Sequence, residues 1–173
     1  VKELFLEADD ALNISLSKII MNGPKEELDL TVNTQPAIFL ISYSIFQVVK
    51  KEFNINLNNA KFFAGHSLGE FSALVAAKVL SFEDGLQLVN KRALAMQEAC
   101  EKTNGIMAAV LGLEDEVVVQ HCNQTDAVVI PANFNCPGQL VISGSIDGVN
   151  KVSLALKEAG AKRLVPLSVS GAF

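Results

Sequence analysis

The chain has 173 residues, half of them apolar and 19% charged, with a net charge of −5. That balance belongs to a globular protein with a sizeable core and excludes a disordered chain. The acidic total and the lack of any Lys/Arg cluster exclude a nucleic-acid surface.

The length suits one ordinary domain, or a core with a small second unit. Three cysteines, Cys100, Cys122 and Cys136, are odd in number and lack C-x-x-C spacing. They read as reduced thiols in a cytosol-like compartment, with neither a disulfide framework nor a metal site. No secretory pattern opens the sequence. The longest apolar stretch, residues 36–49, is interrupted by Ser42, Ser44 and Gln47 and is expected to be too short for a membrane span. The chain starts with valine inside a helical pattern and stops just after a strand-like run, so a fragment is expected.

Residues 1–22 carry apolar positions at Leu4, Ala8, Leu12, Leu16 and Ile19/Ile20, which predicts one helix ended by Asn22-Gly23-Pro24. A short helical turn is predicted over 25–30 and a linker over 31–33. Thr34 is expected to cap the next helix, with Pro36 in its first turn. That helix, over 35–52, is apolar nearly all round and is expected to be central. Residues 54–59, with four asparagines, read as a loop.

The apolar run 61–64 is predicted to be a strand leading into Gly65-His66-Ser67-Leu68-Gly69 and a helix over 70–79. Strand, Gly-x-Ser-x-Gly, helix is the setting of a nucleophile elbow. Such a turn is tight, so the residues two before and two after the serine must be small; glycine at both lets the backbones pass closely. The first helical amides can then receive an oxyanion. Leu68, Phe71, Val75 and Val79 are expected to face a sheet.

Ser81 is predicted to cap a helix reaching residue 102, with Asp84 as capping-box partner. Leu88, Val89, Ala95, Met96 and Ala99 read as its apolar face, on which Arg92 also falls. A guanidinium there needs a partner. Three readings stay open: a salt bridge to Glu70 or Glu98, a side chain reaching out to water, or a carboxylate brought by a substrate.

From residue 104 the pattern changes. Strands are predicted over 105–113, 127–134, 139–143 and 162–168, with helices over 114–123 and 146–159, a turn at Asn135-Cys136-Pro137-Gly138, and Gly160 closing the last helix. The order βαββαβ is the ferredoxin-like split βαβ unit. The fold class is therefore α/β, with a hydrolase-like core carrying the elbow plus a ferredoxin-like small subdomain. The expected domains are 1–103 (core, incomplete), 104–168 (subdomain) and 169–173 (return to the core).

A serine hydroxyl needs a base. The only two histidines are poor candidates: His66 precedes the serine and projects away from its Oγ, and His121 sits on a surface helix of the second part. An α/β-hydrolase would place Asp or Glu and then His after the serine, and no convincing His follows Ser67.

Gly65-His66-Ser67-Leu68-Gly69-Glu70 resembles the nucleophile motif of the malonyl-CoA:acyl carrier protein transacylases and related synthase acyltransferase domains. Gly23-Pro24, Thr34-Gln35-Pro36-Ala37, Arg92 with Met96-Gln97, residues 105–109, 133–139 and 160–163 follow in family order, so the resemblance covers nearly the whole chain. It implies that Ser67 accepts the acyl group, that the Leu68 amide is one oxyanion donor, and that Arg92 grips the malonyl carboxylate. Gln35, Met96 and Asn133 resemble pocket positions, and Ala172-Phe173 resembles the malonyl-type pair that precedes the family's catalytic histidine. That histidine is expected one residue beyond Phe173, and the Gly-Gln-Gly-Ser-Gln loop that supplies the other oxyanion donor is absent from this sequence. The implied reaction transfers malonyl from malonyl-CoA to acyl carrier protein. The implied protein is a cytoplasmic monomer (plastid or mitochondrion if an import segment has been removed), with no cofactor beyond the coenzyme A thioester, no metal, no nucleic acid and no membrane. Rival readings are a serine thioesterase or esterase of the α/β-hydrolase type and a non-catalytic module binding acyl-CoA or acyl carrier protein.

Overall fold

The structure, a computed structural model, describes residues 1–53, 55–167, 169 and 171–173, with Asn58 through its backbone alone. The described chain divides into two compact units, Val1–Gln97 and Glu98–Phe173. It is an α/β protein of helices and one small antiparallel sheet.

The first unit is helical: α1 (Lys2–Leu12), α2 (Leu16–Asn22), α3 (Lys25–Leu28), α4 (Thr31–Glu52), a 3₁₀ turn at Leu57–Asn59, α5 (Gly69–Ala76) and most of α6 (Phe82–Lys102). The single helix predicted over 1–22 is two. Asn13 adopts the left-handed conformation, φ 53°, and ends α1, a backbone state that Asn accepts more readily than most residues. The four-residue spacing of Leu12 and Leu16 hides that break in the sequence. α4 starts at Thr31, ahead of the predicted cap. Its N-cap is Leu30, and the Thr34 hydroxyl donates to the Leu28 carbonyl instead of capping.

α4 is not buried all round. Thr31, Gln35, Pro36, Ala37, Phe39, Leu40 and Ser44 are buried, whereas Ile38, Ile41 and Ile45 are exposed. At 22 residues it is long and apolar enough to cross a membrane by length and composition, contrary to the expectation from residues 36–49. Its buried stripe packs into a core with Ala8, Leu16, Val75, Phe82, Leu86 and Val89. Burying each large aliphatic side chain there contributes about 1.5–3 kcal/mol. Phe82 stacks on Phe39 and Tyr43, with ring centroids 5.7 and 4.9 Å apart.

The predicted serine cap at the start of α6 forms, with Asp84 bonded to the Ser81 hydroxyl and not to its backbone amide as a closed capping box would require. Ser81 Oγ accepts from the Asp84 amide at 3.0 Å and donates to Asp84 Oδ2 at 2.7 Å. The buried face of α6 differs from the predicted one. It is Phe82, Gly85, Leu86, Val89 and Ala93, while Leu88, Ala95 and Ala99 are exposed. Both sets have helical spacing. What selects between them is Gly85, where a Cβ would stand 2.6 Å from Val75 Cγ2 and 2.9 Å from Phe39 Cζ, so α6 approaches its neighbours closely along that line.

The strand predicted over 61–64 is not formed. A strand needs a hydrogen-bonded neighbour, and the only sheet among the described residues belongs to the second unit. Residue type pointed to a strand, but Phe62 is 89% exposed and Phe63 39%. α5 is shorter than predicted, and it packs on the helical core, not on a sheet. Leu68, Phe71 and Val75 join that core, while Val79 lies beyond the helix and is exposed.

The second unit contains β1 (Gly105–Leu111), α7 (Asp115–Asn123), β2 (Val129–Cys136), β3 (Gln139–Ser145), α8 (Ile146–Glu158) and β4 (Arg163–Pro166). The element order is the predicted one, and the sheet order is β2-β3-β1-β4, every pair antiparallel. β2 and β3 run closer together than predicted, with Cys136 opposite Gln139, so the turn is Pro137-Gly138. α8 closes as expected. Gly160 has φ 100°, its amide donates to Lys157 O at 3.2 Å, and the Ala161 amide donates to Leu156 O at 2.9 Å, the bond pair of a Schellman motif. β4 is shorter than predicted, and Ser168 lies outside the described residues. One sheet face carries a core of Ala108, Val110, Leu140, Ile142, Val149, Val152 and Leu156. The other face buries Met107, Ala109 and Val141.

Candidate active site

The pentapeptide Gly65–Gly69 makes a strained turn. Ser67 has φ 50°, unusual for a residue with a side chain. Holding it there costs of order 1–3 kcal/mol, which the surrounding structure must impose. Gly65 permits the turn, because a Cβ there would stand 1.9 Å from the Gly69 carbonyl oxygen and 2.5 Å from the Glu70 amide nitrogen. The expectation that both glycines are required is corrected: a Cβ on Gly69 would meet nothing within 4 Å, and its φ is not positive. The close approach is made by the bare face of Gly65 alone.

The turn leads into α5 through tight bonds. Gly69, Glu70 and Phe71 amides donate to the carbonyls of His66, Ser67 and Leu68 at 2.8–3.1 Å. The Leu68 amide, one residue ahead of them, receives no acceptor among the described residues. Among the described residues it is thus an open donor beside Ser67.

Arg92 comes from α6, on the edge of the buried stripe, and is half-buried. Its Nη2 donates to Ser67 Oγ at 2.9 Å, and its Nη1 donates to Gln35 Oε1. Of the three readings left open by the sequence, the salt bridge is not made: no carboxylate pairs with Arg92 among the described residues, and Glu98 pairs with Lys102. Gln35 is 7% exposed, on the inner face of α4. Its Nε2 points at Met96 Sδ, 3.3 Å away. Four of the predicted site residues, Gln35, Ser67, Arg92 and Met96, therefore form one connected group, with Leu68 adjoining. The link from Arg92 to Gln35 was not foreseen. The signal for it was present, since Thr31, Gln35 and Phe39 share one face of α4, and an amide on a buried face needs a partner.

Asn133 and Phe173 belong to the second unit. Asn133 follows an irregularity in the β2–β3 register at Pro131/Asn133, a device that re-aims a side chain. Phe173 packs with Met107, Ala109 and Val141. His121, on α7 of the same unit, has Nδ1 2.8 Å from the Val117 carbonyl, which makes that nitrogen a donor to its own helix. His66 is exposed beside Ser67. Among the described residues no cluster of His, Cys, Asp or Glu could hold a metal ion.

Residues 5–170 match the acyl transferase domain. The chain belongs to the acyl transferase domain family.

Among the relatives of this acyl transferase domain is the malonyl CoA-acyl carrier protein transacylase of Bacillus subtilis, 47% identical over 175 residues and covering 99% of this chain and 54% of that protein. The Haemophilus influenzae protein of the same name is 44% identical, covering 98% and 54%. Among solved structures, a malonyl-transacylase in complex with a type II polyketide synthase acyl-carrier protein is 40% identical with a TM-score of 0.91, covering 99% of this chain and 55% of that one. The acyl carrier protein S-malonyltransferase of Vibrio cholerae is 42% identical with a TM-score of 0.89, covering 99% and 56%. The chain thus spans about half the length of the curated relatives it matches.

Proposed function

We propose that the protein transfers malonyl from malonyl-CoA to the phosphopantetheine thiol of acyl carrier protein. The observation that carries this is the guanidinium of Arg92, without a carboxylate partner among the described residues and 2.9 Å from the hydroxyl of a serine at the tip of an elbow. A thioester bearing a free carboxylate satisfies both groups together. Its carboxylate forms the charge-assisted pair that Arg92 lacks, and its carbonyl carbon comes within reach of Ser67 Oγ.

In this reading Ser67 gives up its proton to a general base; the family resemblance supplies that base as a histidine immediately after the Ala172-Phe173 pair. Oγ bonds to the thioester carbonyl carbon, and the oxyanion is held by the Leu68 amide. The C–S bond then breaks, and coenzyme A leaves as the thiol with the proton. The malonyl-serine ester is next attacked by the phosphopantetheine thiol, which takes the malonyl group and returns the proton to Ser67. No cofactor beyond the coenzyme A thioester is required. Acetyl-CoA would leave the guanidinium unpaired, a penalty of about 1–3 kcal/mol. An apolar ester would face the same mismatch, which disfavours the esterase reading.

At the level of architecture, the order βαββαβ and the sheet order β2-β3-β1-β4 support a ferredoxin-like subdomain over 104–168. The elbow and its helix support an acyltransferase core of the hydrolase-like kind over 1–103. We read the protein as a cytoplasmic monomer that engages neither nucleic acid nor membrane.

The test is a mass measurement on the full-length protein with malonyl-CoA. A malonyl adduct on Ser67 is expected, and Ser67→Ala is expected to carry none. A Ser67→Ala protein that still takes up malonyl defeats the proposal.

A further inference from the structure

Gln35 forms the centre of the site's hydrogen bonding while carrying no charge. It is nearly excluded from water, and its amide spans one turn of α6, meeting Arg92 on one side and Met96 on the other. The orientation of that amide is dictated by its partners. A guanidinium can only donate, so the amide must turn its oxygen to Arg92. The NH2 then faces the Met96 thioether, a weak acceptor that can take it. Arg92 is thereby held through Nη1, which leaves Nη2 on Ser67 Oγ.

The identity of the anchor matters as much as its position. A carboxylate of the same length at position 35 would hold the guanidinium equally well, but it would form the ion pair itself. Burial strengthens that effect, since water cannot compete for either group. A neutral anchor holds Arg92 in place and leaves its charge open.

We infer that Gln35 is a positioning residue for substrate selection: it orients Arg92 toward Ser67 and, by being neutral, keeps the guanidinium free for the carboxylate of the incoming thioester. The inference rests on the malonyl-transfer reading above.

The experiment compares rates of Ser67 acylation by malonyl-CoA and acetyl-CoA in the full-length wild type, in Gln35→Glu and in Gln35→Met, with thermal unfolding of each. For Gln35→Glu, malonyl kcat/KM is expected to fall about tenfold or more, mainly through KM, because a charge-assisted pair is lost to the substrate. Acetyl use is expected to change little, so the malonyl-to-acetyl ratio collapses. Gln35→Met keeps the charge open but removes the anchor, and it is expected to lose less of the ratio than Gln35→Glu. A wild-type ratio in Gln35→Glu overturns the role of Gln35. So does an equal fall with both substrates in the two variants, which is what a merely structural residue would give. If Gln35→Glu does not fold, Gln35→Met decides, and an unchanged ratio there overturns the inference. A wild type that takes no malonyl on Ser67 overturns the transfer reading and this inference with it, whereas a malonylated wild type with an unchanged Gln35→Glu ratio overturns the inference alone.

Discussion

At Ser67 and Arg92, three single-residue facts meet among the described residues: a serine held at positive φ, an amide at Leu68 left open, and a guanidinium whose hydrogen-bond partners are neutral. Together they are the features on which the malonyl-transfer proposal rests. Arg92→Ala is expected to lower malonyl acylation about 10- to 100-fold and to raise the relative use of acetyl-CoA; an unchanged ratio in a competition assay removes Arg92 from substrate selection. The elbow glycines give a second test. Gly65→Ala would drive a Cβ into the Gly69 carbonyl at 1.9 Å, so it is expected to destabilise by about 2 kcal/mol or more and to abolish acylation. Gly69→Ala, with open space and a helical backbone, is expected to leave stability unchanged or raised by up to about 1 kcal/mol. Urea unfolding of the pair checks the asymmetry. The motif itself was legible because its spacing is local. Which glycine is indispensable was not, because that depends on where the carbonyl of Gly69 turns.

Between elements, the same contrast decides what could be read. The serine cap at Ser81 and the close of α8 at Gly160 involve residues a few positions apart, and both are as the sequence predicted. The buried face of α6 is a matter of what approaches it, and Gly85 marks the place. Gly85→Ala gains helix propensity of about 1 kcal/mol but places a Cβ 2.6 Å from Val75 and 2.9 Å from Phe39. Overpacking of that kind costs about 1–3 kcal/mol, so a net loss of about 1 kcal/mol is expected in chemical denaturation. A gain in stability would mean that α5 and α4 yield easily there.

Across the whole molecule, the three cysteines are free thiols, as expected, and they differ in environment. Burial in the core of the second unit pushes the Cys122 thiol from 9.0 up to about 11. The native state therefore keeps this proton when the unfolded chain has lost it. Stability from Cys122 is complete below pH 9 and is lost as the pH rises from about 9 through 11. The urea midpoint is expected to fall across that window, and Cys122→Ala, less stable at neutral pH, is expected to fall less steeply. Equal slopes would contradict the burial of this thiol. In the native state at pH 8, iodoacetamide is expected to label exposed Cys136 well before Cys122.

What the sequence by itself determined is what short spacing controls: the elbow motif, the cap at Ser81, the close of α8, the order of strands and helices after residue 104, and the family resemblance written in contiguous motifs. The tertiary structure decided what needs partners distant in the chain. Residues 61–64 have strand-like composition but no neighbouring strand among the described residues, so composition alone could not make them one. Arg92 had three open fates in the sequence; the structure removes the salt bridge among the described residues and supplies Gln35, which lies 57 positions earlier and reaches it only because α4 and α6 pack together. A charge has no local signature of its partner, because hydrogen bonding follows distance in space and not distance along the chain.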